Sequence, residues 1–364
     1  MGKRELLIAA AFVVMGMVAW RLTAPPPPGG VRPFSLDTLA EIWRNRNTAT
    51  GGRASVTTDG VLPVSDTLTE VRLANLVAVD VRGEARADIA WTLQVDTTGP
   101  SDAAAQGTAE RTTFTHDEIG PVLALGTRSP EDVPRAGTLT LRVPSRLTVR
   151  VETARRTHIA AVAGVRLENL VGDTTLTSVA GSIDGAHGNG DLTIDDSRDV
   201  TLTLAGSRTT IRRSHGAVAL TARNGETRIE QATGRVDADT INQRLTIIEP
   251  AREVRVGGVG GEITIERPRA AVDVDARRSH VQALLDRAVP ITVFSAEGEV
   301  TLSLPDHVPI SLDVEADTGR IDATAIGLTP IDRDGRSRII RTVDEASRVA
   351  VRGDRSGIVI VRMK

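Results

Sequence analysis

One register dominates this chain. Val200, Val218, Val236, Val254 and Val272 recur at a constant step of 18 residues, and each is followed two places later by an apolar or small residue: Leu202, Leu220, Ala238, Val256 and Val274. A second series, Ile211, Ile229, Ile247 and Ile265, keeps the same step, with Thr209, Thr227, Leu245 and Ile263 two places earlier. Polar residues fill the positions between, the period of two that a strand needs when one face is buried and the other wet. Gly216 and Gly234, then Pro250 and Pro268, mark one corner of the repeat, and Asn224-Gly225 and Gly257-Gly258 mark the other. A unit this short cannot bury its own apolar face, so stability has to come from stacking successive units.

The pattern predicts an all-β fold, a parallel β-solenoid (β-helix) in which each coil gives at least two short strands. Equivalent residues then stack about 4.8 Å apart. The series continues with slips at Leu147, Val149, Val151, Val165, Leu167, Ile183, Leu192 and Ile194 upstream, and at Val300, Leu302, Leu304, Ile310, Leu312, Val314 and Ile321 downstream. A β-sandwich ranks second, because a sandwich imposes no fixed repeat length. Composition agrees. Three Trp and four Phe are the only aromatics, and there is no Tyr or Cys, so the core is aliphatic and disulfides and thiolate metal sites are excluded. Upstream, Val71–Leu73, Val79–Val81, Ile89–Val95 and Leu139–Val143 read as strands, and Thr97 to Thr112 as a mobile loop. This β region caps the first coil, whose edge would otherwise be unpaired. Near the end, Asp332 to Arg338 reads as a hydrophilic loop and Ile358–Val361 as the last strand.

The N-terminus carries a membrane signal. Lys3 and Arg4 precede an uncharged apolar run from Leu6 to Trp20. Arg21 can snorkel and Trp20 suits the interface, which extends a run slightly short of the roughly 20 residues a span wants. Leu22-Thr23-Ala24 followed by Pro25 is a poor cleavage site, so a retained anchor is favoured over a cleaved signal peptide. The positive flank predicts a single-pass cell-membrane protein, N-terminus cytoplasmic and body periplasmic or extracellular. Pro25–Pro28 and Gly29-Gly30 form a spacer, and Ser35 to Trp43 reads as a short amphipathic helix. The resulting plan is 1–22 transmembrane signal anchor, 23–50 Pro-rich linker and short helix, 51–144 β-rich capping region, and 145–364 solenoid with C-terminal cap.

Chemistry is sparse. With 44 Lys+Arg against 47 Asp+Glu the net charge is -3, which argues against a nucleic-acid partner. His116, His158, His187, His215, His280 and His307 show no metal-ligand spacing and read as turn or surface residues, so no metal or cofactor is expected. Gly257-Gly258-Val259-Gly260-Gly261-Glu262 is a single partial match to a calcium-binding roll, and Asp332-Arg333-Asp334-Gly335 a fragment of a calcium loop. Asp195, Asp196, Asp199 and Arg198 are the cluster that a polysaccharide-active β-helix enzyme would need, but a solvated corner is the simpler account. There is no Gly-x-Ser-x-Gly or Ser-x-x-Lys, Lys3 and Lys364 are the only lysines, and no catalytic residue is assigned. Arg352-Gly353-Asp354 reads as a tight turn before the last strand.

Val143-Pro144-Ser145-Arg146-Leu147-Thr148-Val149 and the stuttering repeats Ala180-Gly181-Ser182-Ile183-Asp184-Gly185, Gly190-Asp191-Leu192-Thr193-Ile194 and Asn224-Gly225-Glu226-Thr227-Arg228-Ile229 resemble the DUF4097-type adhesin-like family of extracytoplasmic repeat proteins. The resemblance implies a parallel β-helix tethered by one N-terminal helix, an envelope location and a non-enzymatic role. The expectation is therefore a membrane-anchored, non-enzymatic binding, adhesin-like or scaffold module of the bacterial envelope. It would meet the membrane through its N-terminal helix and a protein or glycan partner along the solenoid face, with self-assembly through open ends as a further option. The alternative is a β-helix enzyme acting on envelope or extracellular polysaccharide.

Overall fold

The computed structural model describes residues 51–362, apart from 75, 130–136, 153, 307–308 and 344–347. The anchor run, the proline spacer, the 35–43 helix and His307 lie outside the described residues. Among the described residues no helix is long and apolar enough to cross a membrane.

The chain is all-β with a single α-helix among the described residues. It opens with β1 (Gly52–Pro63), β2 (Glu70–Ala74), β3 (Ala78–Glu84), β4 (Asp88–Gly99), α1 (Asp102–Glu110), β5 (Thr113–Ile119), β6 (Val122–Arg128) and β7 (Thr138–Pro144). Short strands follow: β8 (Thr148–Val151), β9 (Arg156–Ala160), β10 (Gly164–Leu170), β11 (Asp173–Val179), β12 (Ile183–His187), β13 (Gly190–Ser197), β14 (Val200–Ala205), β15 (Ser207–Ser214), β16 (Val218–Arg223) and β17 (Glu226–Glu230). Three long strands come next, β18 (Val236–Ile248), β19 (Val254–Glu266) and β20 (Val272–Leu284). The chain finishes with β21 (Ile291–Ala296), β22 (Glu299–Leu304), β23 (Ser311–Asp317), β24 (Ile321–Asp322), β25 (Ile331–Arg333), β26 (Arg336–Arg341), β27 (Arg348–Asp354) and β28 (Gly357–Arg362).

All these strands join one sheet, and their register sorts them into two ladders. Ladder I runs β5-β6-β2-β8-β10-β12-β14-β16-β18-β19-β20-β21-β27-β23-β26-β25. Ladder II runs β1-β4-β7-β3-β9-β11-β13-β15-β17-β18-β19-β20-β22-β28-β24. The long strands β18, β19 and β20 serve both. Every pairing is parallel except at the ends, where β1–β4, β4–β7 and β5–β6 close one end and β23–β26 and β25–β26 the other.

The repeat read from the sequence is this register. Val200, Val218, Val236, Val254 and Val272 are direct partners in ladder I, and Ile211, Ile229, Ile247 and Ile265 in ladder II. All nine are at most 2% exposed. At roughly 1.5–3 kcal/mol for each fully buried aliphatic side chain, these columns supply the main stabilising term.

Several expectations need correction. Thr97 to Thr112 is not a loop: β4 reaches Gly99, and α1 follows because Ser101 Oγ accepts the Ala104 N–H at 3.2 Å and Ala105 and Ala109 bury against β1 and β4. Asp332 to Arg338 belongs to the β25–β26 hairpin, whose turn places Asp334 and Gly335 at φ 51° and 79°, the left-handed pair that suits Asp-Gly. Arg352-Gly353-Asp354 lies within β27, paired to β21 on one side and β23 on the other, with Gly353 buried. The tripeptide is a ladder rung and not a displayed turn. Parallel rungs also begin ahead of residue 145, since Val71 pairs with Val149 and Val81 with Ile159.

The corners carry conformational strain. At the end of successive ladder II strands, Ala161, Ser178, Asp196, Arg213, Gln231, Glu249 and Arg267 all adopt φ between 48° and 58°. This lets the chain turn while the N–H of the turning residue still reaches the next rung, as Gln231 does to the Ile248 carbonyl at 3.0 Å. A non-glycine residue pays about 1–2 kcal/mol for that conformation. Replacing the exposed Gln231 by Gly should therefore raise the urea midpoint, with a net gain of about 0.5–1 kcal/mol after the backbone entropy of glycine. Gln231→Val should lower it, and Ile229→Ala should cost about 2–5 kcal/mol through the lost column contact. A Gln231→Gly protein no more stable than the parent would sink the strain argument.

Candidate binding face

The outward positions of ladder I form two adjacent rows. One reads Asp184, Thr201, Ala219, Asp237, Arg255, Asp273, Thr292, and the other Ala186, Thr203, Thr221, Asp239, Gly257, Asp275, Phe294. From Asp184 to Asp273 in the first row and from Thr203 to Asp275 in the second, they line a groove of about 630 Å³. Its walls hold five carboxylates, Asp184, Asp237, Asp239, Asp273 and Asp275, against the two guanidiniums of Arg235 and Arg255.

Both cations are already engaged. Arg235 holds Asp237 at 2.7 Å, a hydrogen bond that raises the guanidinium pKa further, and Arg255 holds Glu253 at 3.0 Å. Asp184 accepts from Ser182 Oγ at 2.6 Å. Asp239, Asp273 and Asp275 are exposed and have neither an ion-pair nor a hydrogen-bond partner among the described residues. Gly257 sits between Asp239 and Asp275 in their row and leaves the gap open: a Cβ there would lie 2.7 Å from an Asp239 carboxylate oxygen. The adjoining row reads Arg223, Ile241, Val259, Arg277: Ile241 and Val259 remain more than a third exposed, and Arg223 and Arg277 share a hollow with Asp239 and Asp275 without forming an ion pair.

The same face is finished differently further up. On β2, β8 and β10 the arginines Arg72, Arg150 and Arg166 stack in one row, and Glu70, Glu152 and Glu168 interleave with them. Arg72 pairs with Glu152, Arg150 with Glu168, and Arg166 with Glu70 at 3.2 Å. The hydrogen bond from Arg72 is the main cause holding the Glu152 carboxyl below its ordinary range. Ladder II shows the same economy between coils: Arg208–Glu226, Arg244–Glu262, Arg212–Glu230 and Arg267–Glu249 are ion pairs one repeat apart. On β18 and β20 Asp239, Asp273 and Asp275 have no such partner among the described residues.

The residues singled out from the sequence do not converge. Asp195 pairs with Arg213 at 2.5 Å; Asp196 is one of the left-handed corner residues and accepts from Ser178 Oγ; Asp199 accepts the Ala217 N–H at 2.9 Å. These are corner contacts, and Arg198 stands exposed beside them. Among the histidines, His158 contacts Asp80 at 3.0 Å, His215 contacts Asp196 at 3.2 Å, His280 lies 3.6 Å from Glu299, and His116 stacks on Phe114. Glu262, the end of the partial calcium motif, is held by Arg244, and Asp332 accepts from Ser337 Oγ. No group of three or more possible metal ligands gathers among the described residues. The groove carboxylates escaped the sequence reading because neighbours along the chain were weighed, whereas neighbours in the sheet lie 18 residues apart. The available signal was a lapse in the sign alternation of that spacing.

No protein-family model and no curated protein matches the chain. Among solved structures it is similar to a "putative cell adhesion protein" of Clostridium sporogenes, with 10% identity over 85% of this chain and 100% of that one and a TM-score of 0.19. It is also similar to a "putative adhesin" of Parabacteroides merdae, with 10% identity over 68% and 96% and a TM-score of 0.33. A "putative adhesin" of Bacteroides fragilis gives 9% over 85% and 97%, TM-score 0.28. Likenesses at these scores carry no argument, and the functional reading rests on the chain's own geometry.

His187 departs from the expected surface role. Register places it in an inward column between Leu170 and Leu204, and it is 1% exposed. Its Nε2–H donates to the Gly172 carbonyl at 2.9 Å, while Nδ1 has no partner. Burial lowers its pKa, outweighing the backbone hydrogen bonds that raise it. Above about pH 6.5 the ring is neutral both folded and unfolded. Below that, the unfolded chain takes a proton that the native state refuses, so stability falls with pH until the native ring itself titrates. His187→Leu, matching both column neighbours, should remove this component: the stability difference between variant and parent should widen in favour of the variant from pH 7 to pH 5. A difference that stays constant with pH would refute it.

Proposed function

We propose that this chain is a β-solenoid acting as a non-enzymatic, adhesin-like binding module, anchored by its N-terminal segment and displayed outside the cytoplasmic membrane of a bacterial envelope. The groove on ladder I receives an extended cationic polymer. The observation that carries this reading is the set of three carboxylates without an ion-pair partner, Asp239, Asp273 and Asp275, in a groove that gathers five carboxylates against two guanidiniums, both of them engaged. A row of carboxylates at the fixed pitch of a sheet suits a repeating ligand better than a compact one. Thr201, Thr203 and Thr221 supply hydroxyls along the same rows. A glycosidase would need one carboxyl kept protonated by apolar surroundings, and the three bare aspartates are solvent-exposed.

Two measurements test the two halves of the proposal. Calorimetric titration with an oligolysine peptide and with a glucosamine oligomer should detect binding to at least one, weakening as salt is raised. Neutralising Asp239, Asp273 and Asp275 together to Asn should weaken that binding by about tenfold or more, at up to about 1 kcal/mol per exposed pair lost. Gly257→Thr, which fills the gap between two of them, should do the same without unfolding the sheet. Equal binding by the triple variant and the parent would exclude the groove. For location, Arg198→Cys offers an exposed thiol in an otherwise cysteine-free chain, whereas the neighbouring Ser197 is 2% exposed. A membrane-impermeant maleimide should label it with the cytoplasmic membrane intact; labelling only after full lysis would place the body inside.

A further inference from the structure

The two ladders end differently. In ladder II a helix or turn packs beside the last strands: α1 on β1 and β4 at one end, and a 3-10 turn at Thr324–Ile326 on β28 at the other. Among the described residues the ends of ladder I have no such element. β5 pairs only with β6, and β25 only with β26, so each presents an unpaired edge among the described residues. The two most exposed large apolar side chains of the described residues sit on these edges, Ile331 at 74% on β25 and Ile119 at 69% on β5, with Ile340 at 60% beside the former.

The edges differ in charge: one carries a projecting arginine, the other only acidic charges. From Ile331 to Arg341 the hairpin carries Arg333, Arg336, Arg338 and Arg341 against Asp332 and Asp334. Arg336 and Arg338 are drawn back onto β23 by Glu315, Asp317 and Asp313. Arg333 projects, 89% exposed, with only the equally exposed Asp334 near it at 3.7 Å. β5 carries Asp117 and Glu118 and no arginine or lysine. An edge strand exposed this way normally repels its own kind. Here the β5 edge, with Asp117 and Glu118, repels its own kind, while the projecting Arg333 of another copy offers it a counter-charge.

We propose that copies of this chain dock head to tail, the β25 edge of one copy adding to the β5 edge of the next. Strand directions fit. β25 runs parallel to β23, because both are antiparallel to β26, whereas β5 runs against β6, so the new junction is antiparallel. In the register that sets Ile331 opposite Ile119, Arg333 falls opposite Asp117 on the same face, and the two cross-strand pairs are apolar and ionic. Asp332 and Glu118 then meet on the other face as a like-charge pair, a cost that the hydroxyl hydrogen bonds from Ser337 and Ser65 reduce and that the apolar and ionic pairs have to offset. Such a contact is heterologous and does not close, so it propagates ladder I from copy to copy into an open array.

The absence of cysteine makes the test direct. Full-length Ile119→Cys and Ile331→Cys proteins, solubilised in mild detergent and mixed under oxidising conditions, should give a covalent dimer that neither variant gives alone. The double variant should give a series of multimers. Both positions are exposed, so circular dichroism should remain that of the parent. Arg333→Asp in the Ile331→Cys protein should lower the dimer yield about threefold, and Asp117→Arg in its partner should restore it. Dimers formed by either single variant with itself, or no cross-link in the mixture even with a short bis-maleimide, would overturn the proposal.

Discussion

In-register parallel pairing places each residue beside its own counterpart one repeat away, and nearly everything else in the molecule follows from that. Aliphatic side chains stack on copies of themselves without cost, which is why Val and Ile fill the inward columns and aromatic rings are almost absent from the chain. Like charges stack only where counter-charges interleave, as Glu70, Glu152 and Glu168 do with Arg72, Arg150 and Arg166. Elsewhere the surface alternates, Arg208 with Glu226 and Arg244 with Glu262 along one column. Exposed pairs of this kind are individually worth little. Their importance lies in what the alternative would be, a column of like charges about 4.8 Å apart.

A stack of this kind has no natural end, and the chain makes ends by doubling back. At the N-terminal side β2 and β3 are laid down first, β4 to β7 stack beyond them, and β8 and β9 return on the other side. At the C-terminal side β27 and β28 slide between β21 and β23 and between β22 and β24. Each end is thus held by a strand distant in sequence, so the terminal rungs cannot peel away as simple repeats would. Ring stacking is also spent here: Trp91 and Phe114 lie 4.1 Å apart near the first end, where no column constrains ring size.

How much of this the residues announce depends on which neighbour a residue has. The columns Val200–Val272 and Ile211–Ile265 are visible because the repeat length is constant and the burial period is two. The strand order at the ends is not visible, since nothing in β27 says that it will insert between two earlier strands. For the same reason Arg352-Gly353-Asp354 reads as a turn: Gly and Asp mark turns locally, and here pairing to β21 and β23 overrides them, whereas in the hydrophilic segment Asp332–Arg338 the Asp334-Gly335 turn does form and strands grow on both sides of it. His187 was misjudged because its type suggests the surface, while its register position, in line with Leu170 and Leu204, dictates the interior. The candidate site is hidden for the same reason: Asp195, Asp196 and Asp199 are close in sequence, whereas Asp239 and Asp275 are close only across the sheet.

The lapse in charge matching therefore deserves more weight than a surface aspartate would in an ordinary globular protein. In a stacked sheet every outward position has a forced neighbour, and an unmatched charge repeats its cost at short range. Gly257 removes the one side chain that would separate Asp239 from Asp275 in their row, and Arg255, the cation closest to Asp273 in register, is turned to Glu253 instead. A face optimised for the stability of the free chain would place a basic residue at position 257, as the column at Arg244 does between Glu226 and Glu262. That it carries glycine leaves Asp239 and Asp275 without a cation between them in their row, with Arg223 and Arg277 in the adjoining row as the nearest free guanidiniums among the described residues, and the fixed pitch of the rungs sets the spacing of these carboxylates.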